Sequence, residues 1–336
     1  MTSRPLSNRT RELSPFHVMD ILAQAKALSE QGRSIIHMEV GEPDFSTADS
    51  IVSAGIEALK QGQTFYTPAL GLPELREAIS VYYQRKFSVQ VDSERIIVTP
   101  GASGAIQLAI TSLLDAGDNV LLSDPGYPCN RNIAQVLASD TVSVPVGAES
   151  YYQLNAQLAE RYWNERTRAA MVATPSNPTG TVLPLTQLRE LDNCISEKGG
   201  VLIVDEIYQG LVYDSSDYTA LSVSDDCFVI NSFSKYFGMT GWRVGWMVVP
   251  ELYVDAIDRI AQNIFLAPPT ISQHAAIAAM QEDTLVEHDR RRDEFKKRRD
   301  FLLPALKQIG FDIAVEPLGA FYIYANCERF TDDSFS

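Results

Sequence analysis

Along the chain, short apolar runs that end in polar or glycine-containing turns alternate with longer stretches of helical period, the arrangement of a parallel sheet covered by helices. Seven runs read as strands: 96–99, 120–123, 142–145, 169–174, 201–205, 228–231 and 244–249. Between them the 3.6-residue period predicts helices such as 103–114, 129–138, 185–197 and 251–262. Val201-Leu202-Ile203-Val204 is apolar at every position, which predicts burial on both faces. The middle of the chain is therefore expected to form a doubly wound α/β domain with a mainly parallel sheet.

The two ends read differently. Residues 16–31 suggest a helix, 35–40 a short strand and 283–309 a very long helix. Together they predict a smaller α+β domain built from both termini, with residues 46–284 as the large domain and residues 1–45 and 285–336 as the small one. Within the last helix, DRRRDEFKKRRD interleaves acids with bases and carries an apolar stripe, so it reads as a solvated helix face rather than a basic binding patch.

Composition narrows the function classes. Against 28 Lys+Arg stand 43 Asp+Glu, a formal charge of −15, which argues against a nucleic-acid partner. No apolar run reaches the roughly 18 to 20 residues of a membrane span, and the opening MTSRPLSNRT lacks the apolar core of a signal peptide, so a cytoplasmic protein is expected. Cys129, Cys194, Cys227 and Cys327 form neither a CxxC pair nor a disulfide framework. His17, His37, His274 and His288 show no metal-ligand spacing, so no metal is expected. The absence of GxGxxG after the first strand disfavours a nicotinamide-dependent dehydrogenase.

In an open parallel sheet the ligand sits beyond the carboxyl ends of the strands. The strand 201–205 ends in Asp205-Glu206-Ile207-Tyr208, and an aspartate there either caps the next segment or faces a cation. The strand 228–231 runs into Ser232-Phe233-Ser234-Lys235-Tyr236-Phe237-Gly238-Met239-Thr240-Gly241-Trp242-Arg243-Val244-Gly245. A lysine set among small residues and aromatics can lose its proton and act as a Schiff-base nucleophile. TPGASGAIQ, residues 99–107, is a strand, a glycine turn and a helix start, whose free N–H groups at Gly101, Ala102 and Ser103 point toward an anion.

The segment SFSKYFGMTGWRVG resembles the cofactor-lysine signature of the class I aminotransferases, pyridoxal-phosphate enzymes of fold type I, and the resemblance extends from about residue 35 to residue 324. It implies that Lys235 holds pyridoxal 5'-phosphate covalently and moves a proton, and that Asp205 pairs with the pyridine nitrogen. It further implies that Gly101, Ala102, Ser103, Ser232 and Arg243 bind the phosphate, that Tyr127 of DPGYP stacks on the ring, and that Asn177 of TPSNPTG and Tyr208 hydrogen-bond the ring hydroxyl. Gly41 of GEPDF, and Asn177 again, correspond to residues at the substrate carboxylate. Tyr66 of TFYTPALGLPELREAI corresponds to a tyrosine that crosses a homodimer interface to the partner's cofactor phosphate.

The implied function is transamination between an L-amino acid and a 2-oxo acid, with glutamate and 2-oxoglutarate as one pair. Two other readings stay open: cleavage at Cβ by a lyase on the same scaffold, and cofactor binding without catalysis. Family members usually continue well beyond GAFYIY at 319–324, and none of the arginines here stands in the context of the family's C-terminal carboxylate-binding arginine. The small domain is accordingly expected to be incomplete and turnover by this chain to be poor.

Overall fold

All seven apolar runs become strands of one sheet in the structure, a computed structural model that describes residues 6–334. The strands are β1 (Ile96–Thr99), β2 (Asn119–Asp124), β3 (Asp140–Pro145), β4 (Thr167–Ala173), β5 (Val201–Asp205), β6 (Phe228–Ser232) and β7 (Gly245–Val248). The α-helices are α1 (Asn8–Glu12), α2 (His17–Glu30), α3 (Asp49–Lys60), α4 (Pro73–Phe87), α5 (Gly101–Leu113), α6 (Pro128–Val136), α7 (Ala156–Tyr162), α8 (Leu185–Glu197), α9 (Glu251–Ile264), α10 (Thr270–Ala279) and α11 (Glu282–Ile309).

The strand order is β1-β7-β6-β5-β4-β2-β3. Every pair is parallel except β1 with β7 and β6 with β7, so the mainly parallel sheet contains one reversed strand. The β6–β7 connection holds the short turn Thr240–Trp242 and no crossover helix, the usual link between parallel strands, and β7 returns antiparallel to β6. This connection carries Lys235 and Arg243. Because the other six strands point one way, their carboxyl ends share one edge of the sheet, and β7 starts from that edge.

Alternation along the strands feeds two cores. Val98, Val172, Val204, Val229 and Trp246 point to one side, while Ile97, Met171, Ile203, Phe228 and Met247 point to the other. Each of these side chains is essentially removed from water, which explains why strands of a sheet covered on both faces read as unbroken apolar runs. Trp246 is fully buried and still satisfied, because its Nε1 donates to the Tyr83 hydroxyl at 3.0 Å.

The terminal regions depart from expectation. Residues 35–40 form no strand among the described residues: no neighbouring strand offers them hydrogen bonds, and Ile36 and Met38 are exposed. Among the described residues, strand-like pairing near the C-terminus is confined to the isolated bridges Val212 with Gly319 and Asp312 with Asn326. Helix α11 runs as one element through the basic stretch, and that stretch is only partly a solvated face. Arg290 and Arg292 pair with acids on their own helix, but Arg298 pairs with Asp44 at 2.8 Å and lies with Arg291 against the Phe45 ring. Arg299 donates to the Pro317 carbonyl at 2.9 Å. The helix therefore holds the 44–46 segment and the 317–322 segment together.

Candidate active site

Asp205 ends β5, in register with Ala173 of β4 and Ile230 of β6, and is buried. Its Oδ1 accepts from the Ile207 N–H at 3.0 Å, so the carboxylate does cap the following turn. Burial pushes its pKa up to about 6, against the opposing pull of that N–H and of the Lys235 charge. A cap alone needs no such burial.

Lys235 is half-buried on the β6–β7 connection, and its Nζ donates to the Gly41 carbonyl at 2.5 Å. Its pKa is lowered to about 8, chiefly by burial and also by the Arg243 charge, against the opposing pull of Glu42 and Asp205. A substantial fraction of the amine is thus neutral near pH 8. The Nζ also lies 5.8 Å from the ring centres of Tyr208 and of Phe321.

Beside the lysine, the amino end of α5 opens without a side-chain cap, following Pro100. Gly101 takes a left-handed φ of 71°, and a Cβ there would stand 2.6 Å from Arg243 Nη2. Arg243 itself is left-handed at φ 52°, and its Nη1 donates to the Thr240 carbonyl at 2.9 Å. Register places Gly245 between Thr99 and Ser232. A Cβ at Gly245 would lie 2.9 Å from the Gly101 carbonyl carbon and 3.0 Å from the Ala102 nitrogen, so only glycine lets the helix start approach the sheet so closely. Ser232 is buried, its hydroxyl donating to Ser234 Oγ at 2.9 Å. The start of α5, the Arg243 guanidinium and Ser232 are thereby brought together, and free helix N–H groups and a guanidinium are groups of a kind that attract an anion.

Tyr127 precedes α6 and is half-buried, with Phe16 edge-on at 6.0 Å. Tyr208 is buried, and its hydroxyl meets that of Tyr322 at 2.6 Å. Burial raises the pKa of both above the ordinary phenol value, that of Tyr208 well above it. Asn177 is half-buried in a turn closed by Ser176 N–H to Thr181 carbonyl at 2.9 Å. Tyr66 is not gathered into this group. It stands 82% exposed beside an equally exposed Phe65, so this chain alone does not cover it.

Three residues close to these groups escaped the sequence reading. Tyr322 lay inside GAFYIY, a segment noted only for its position. Glu42 accepts a hydrogen bond from the Thr240 hydroxyl and stands near enough to Lys235 to raise its proton affinity. Glu206 follows Asp205 into the interior, where it accepts from Ala220 N–H at 2.6 Å, Thr219 Oγ1 at 3.1 Å and Gln209 Nε2 at 2.9 Å. Gln209 in turn accepts from Asn231 Nδ2 at 3.1 Å, and Asn231 Oδ1 accepts from Ser232 N–H at 2.7 Å. This network holds the backbone of Ser232. The only sequence signal for it was a second acid in an apolar context.

Residues 33–336 match the family Aminotransferase class I and II. The chain is 37% identical over 324 residues to the valine–pyruvate aminotransferase of Mycobacterium tuberculosis, covering 96% of this chain and 83% of that protein. It is 38% identical over 324 residues to the (5-formylfuran-3-yl)methyl phosphate transaminase of Methanocaldococcus jannaschii, covering 96% and 84%. Among solved structures, an aminotransferase from Mycobacterium tuberculosis superimposes with a TM-score of 0.95 at 36% identity, covering 99% of this chain and 86% of that one.

Proposed function

The chain belongs to the class I and II aminotransferases, and from that membership we propose that it transfers the amino group of an L-amino acid to a 2-oxo acid in two half-reactions, with glutamate and 2-oxoglutarate as one pair. Members of this family use pyridoxal phosphate. The observation that carries the reading is the half-buried Lys235 and the buried Asp205 at neighbouring strand connections, each shifting the other's proton affinity, close to the start of α5 and Arg243.

The residues present fit that cofactor. The space at Gly101 is one that a Cβ would close against Arg243, and the donors facing it suit a phosphate dianion. In this reading Gly101, Ala102, Ser103, Ser232 and Arg243 hold the phosphate, Tyr127 stacks on the ring, and Asn177 and Tyr208 donate to the ring oxygen. Asp205, whose buried carboxyl is raised to about 6, regains its charge once a cationic ring nitrogen lies beside it. When bound, pyridoxal phosphate supplies an electron sink for the charge left on the substrate Cα. Lys235 holds the cofactor and, when displaced by the substrate amine, takes the Cα proton and returns one. Its lowered proton affinity suits both roles. Gly41 and Asn177 orient the substrate carboxylate.

The two named relatives act on different substrates, so the amino donor rests on this chain's own pocket. The same proposal includes a cytoplasmic homodimer in which Tyr66 reaches the partner's cofactor phosphate. It also includes a division into a large cofactor-binding part, residues 46–284, and a smaller part, residues 1–45 and 285–336. A symmetric dimer is the commonest assembly for a soluble enzyme.

Adding pyridoxal phosphate to the purified protein should produce a visible absorbance band, and borohydride reduction followed by peptide mapping should place the label on Lys235. A label on Lys198 or Lys60 overturns the assignment. Oxo-acid formation across a panel of amino acids with 2-oxoglutarate then identifies the donor.

A further inference from the structure

Tyr322 joins three segments of the proposed site. Its hydroxyl meets the Tyr208 hydroxyl at 2.6 Å, with the rings 5.5 Å apart and nearly perpendicular. Its ring fills the place a Gly41 side chain would need: a Cβ there would lie 2.9 Å from Tyr322 Cζ and 3.1 Å from Cε1. Its backbone lies against the turn that carries Asn177, since a Cβ on Gly180 would stand 3.0 Å from the Tyr322 carbonyl oxygen, and Leu318 N–H and Gly319 N–H both donate to the Gly180 carbonyl at 2.9 Å. The segment that carries Tyr322 is thus held by backbone contacts that do not involve Tyr208.

A phenol has one proton, so within the pair only one hydroxyl donates to the other. The following step rests on the reading above, in which Tyr208 donates to the oxygen on the cofactor ring. With its proton so committed, Tyr208 can only accept from Tyr322. We propose that Tyr322 is a positioning residue that fixes the direction of the Tyr208 hydrogen bond and strengthens Tyr208 as a donor. Hydrogen bonds in a chain polarise one another, so a proton donated to the Tyr208 oxygen makes its own O–H a better donor. A better donor stabilises negative charge on the ring oxygen, and that charge sets the pH at which the bound cofactor changes colour.

The test is a spectroscopic pH titration of the cofactor bound to the full chain, which reads the ring oxygen without turnover. Tyr322→Phe should raise the apparent pKa of the bound chromophore by about half a pH unit, and Tyr208→Phe should raise it more. In the double variant Tyr208→Phe/Tyr322→Phe, loss of the second hydroxyl should add nothing, because its effect passes through the first. Replacing Tyr322 with 3-fluorotyrosine keeps the shape and sharpens the donor, so it should move the apparent pKa in the opposite direction even if the phenylalanine variant folds poorly. A band whose pKa is unmoved by Tyr322→Phe and by the fluorinated residue overturns the role of Tyr322 alone, as does a shift that simply adds in the double variant. Absence of any band in the unaltered protein overturns the underlying reading and this inference together.

Discussion

The body of the sheet and its carboxyl edge are a few residues apart along the same strands, yet they are built on opposite terms. In the body, Val204, Ile203 and Phe228 are apolar, fully buried and packed, so burial and stability run together. At the edge, Asp205, Glu206 and Lys235 are ionisable groups held where water is scarce, and burial works against each charge. Glu206 escapes part of that penalty through three hydrogen bonds, although burial still raises it to about 8. Asp205 has one hydrogen bond and Lys235 a single carbonyl. The contrast teaches that the body gains stability from burial, whereas the edge holds ionisable groups whose charges the protein alone leaves partly uncompensated.

The largest expected effect separates chemistry from folding. Lys235→Ala should lower the half-reaction rate by about 10⁴-fold, the upper range for a positioned general base, while the denaturant midpoint of the cofactor-free protein stays the same or rises. Single-turnover kinetics and urea melts on one preparation read both. A fall in midpoint comparable to that of a core truncation would erase the distinction between edge and body.

Phe228→Ala breaks the other side of the comparison. It removes a fully buried ring that packs on Tyr253 at 4.9 Å and should cost about 3–5 kcal/mol of stability. The folded fraction should still bind cofactor at Lys235. Urea unfolding gives the first number, and absorbance per folded molecule checks the second.

Asp205→Asn should act on function and stability with opposite signs. The half-reaction should slow by about 10²-fold, a barrier rise of about 2.7 kcal/mol. In the cofactor-free protein the folded carboxyl titrates near 6 rather than at its ordinary 3.8. The folded state therefore holds a proton that the unfolded chain has released, and stability falls as pH rises through that window. Removing the charge should restore roughly 1–3 kcal/mol at pH 8 and much less at pH 4. Melts at both pH values sharpen the comparison; a gain of equal size at each would mean that ionisation is not its cause.

The smallest effect follows from Lys235, whose amine titrates near 8. Cofactor capture requires the neutral amine, so its rate should rise about tenfold per pH unit below that value and level off above it. Stopped-flow absorbance after mixing with pyridoxal phosphate gives the profile. A rate still climbing at pH 10 would place the amine in water-like surroundings.

Much of this was legible in the sequence because it rests on local pattern. Apolar runs marked every strand to within two residues, since burial on both faces leaves few polar positions in a strand. The turn residues after β1, β5 and β6 marked the candidate site, because glycines, a helix start and a lysine between small residues are properties of short segments. The strand expected at 35–40 failed for the converse reason: its pattern was present, but a strand exists only through a partner, and none of the described residues supplies one.

What the sequence by itself determined was therefore the set of elements and the chemical groups placed at their ends. Tertiary structure alone decided that β7 runs backwards, that Arg298 grips Asp44 across the molecule, and that the hydroxyls of Tyr208 and Tyr322 meet. It also decided the proton affinities of Asp205 and Lys235, because those depend on how much water the surrounding chain excludes and on charges far away in sequence. A period or a motif is read from neighbours along the chain. A hydrogen bond between residues 208 and 322 exists only after the backbone between them has closed.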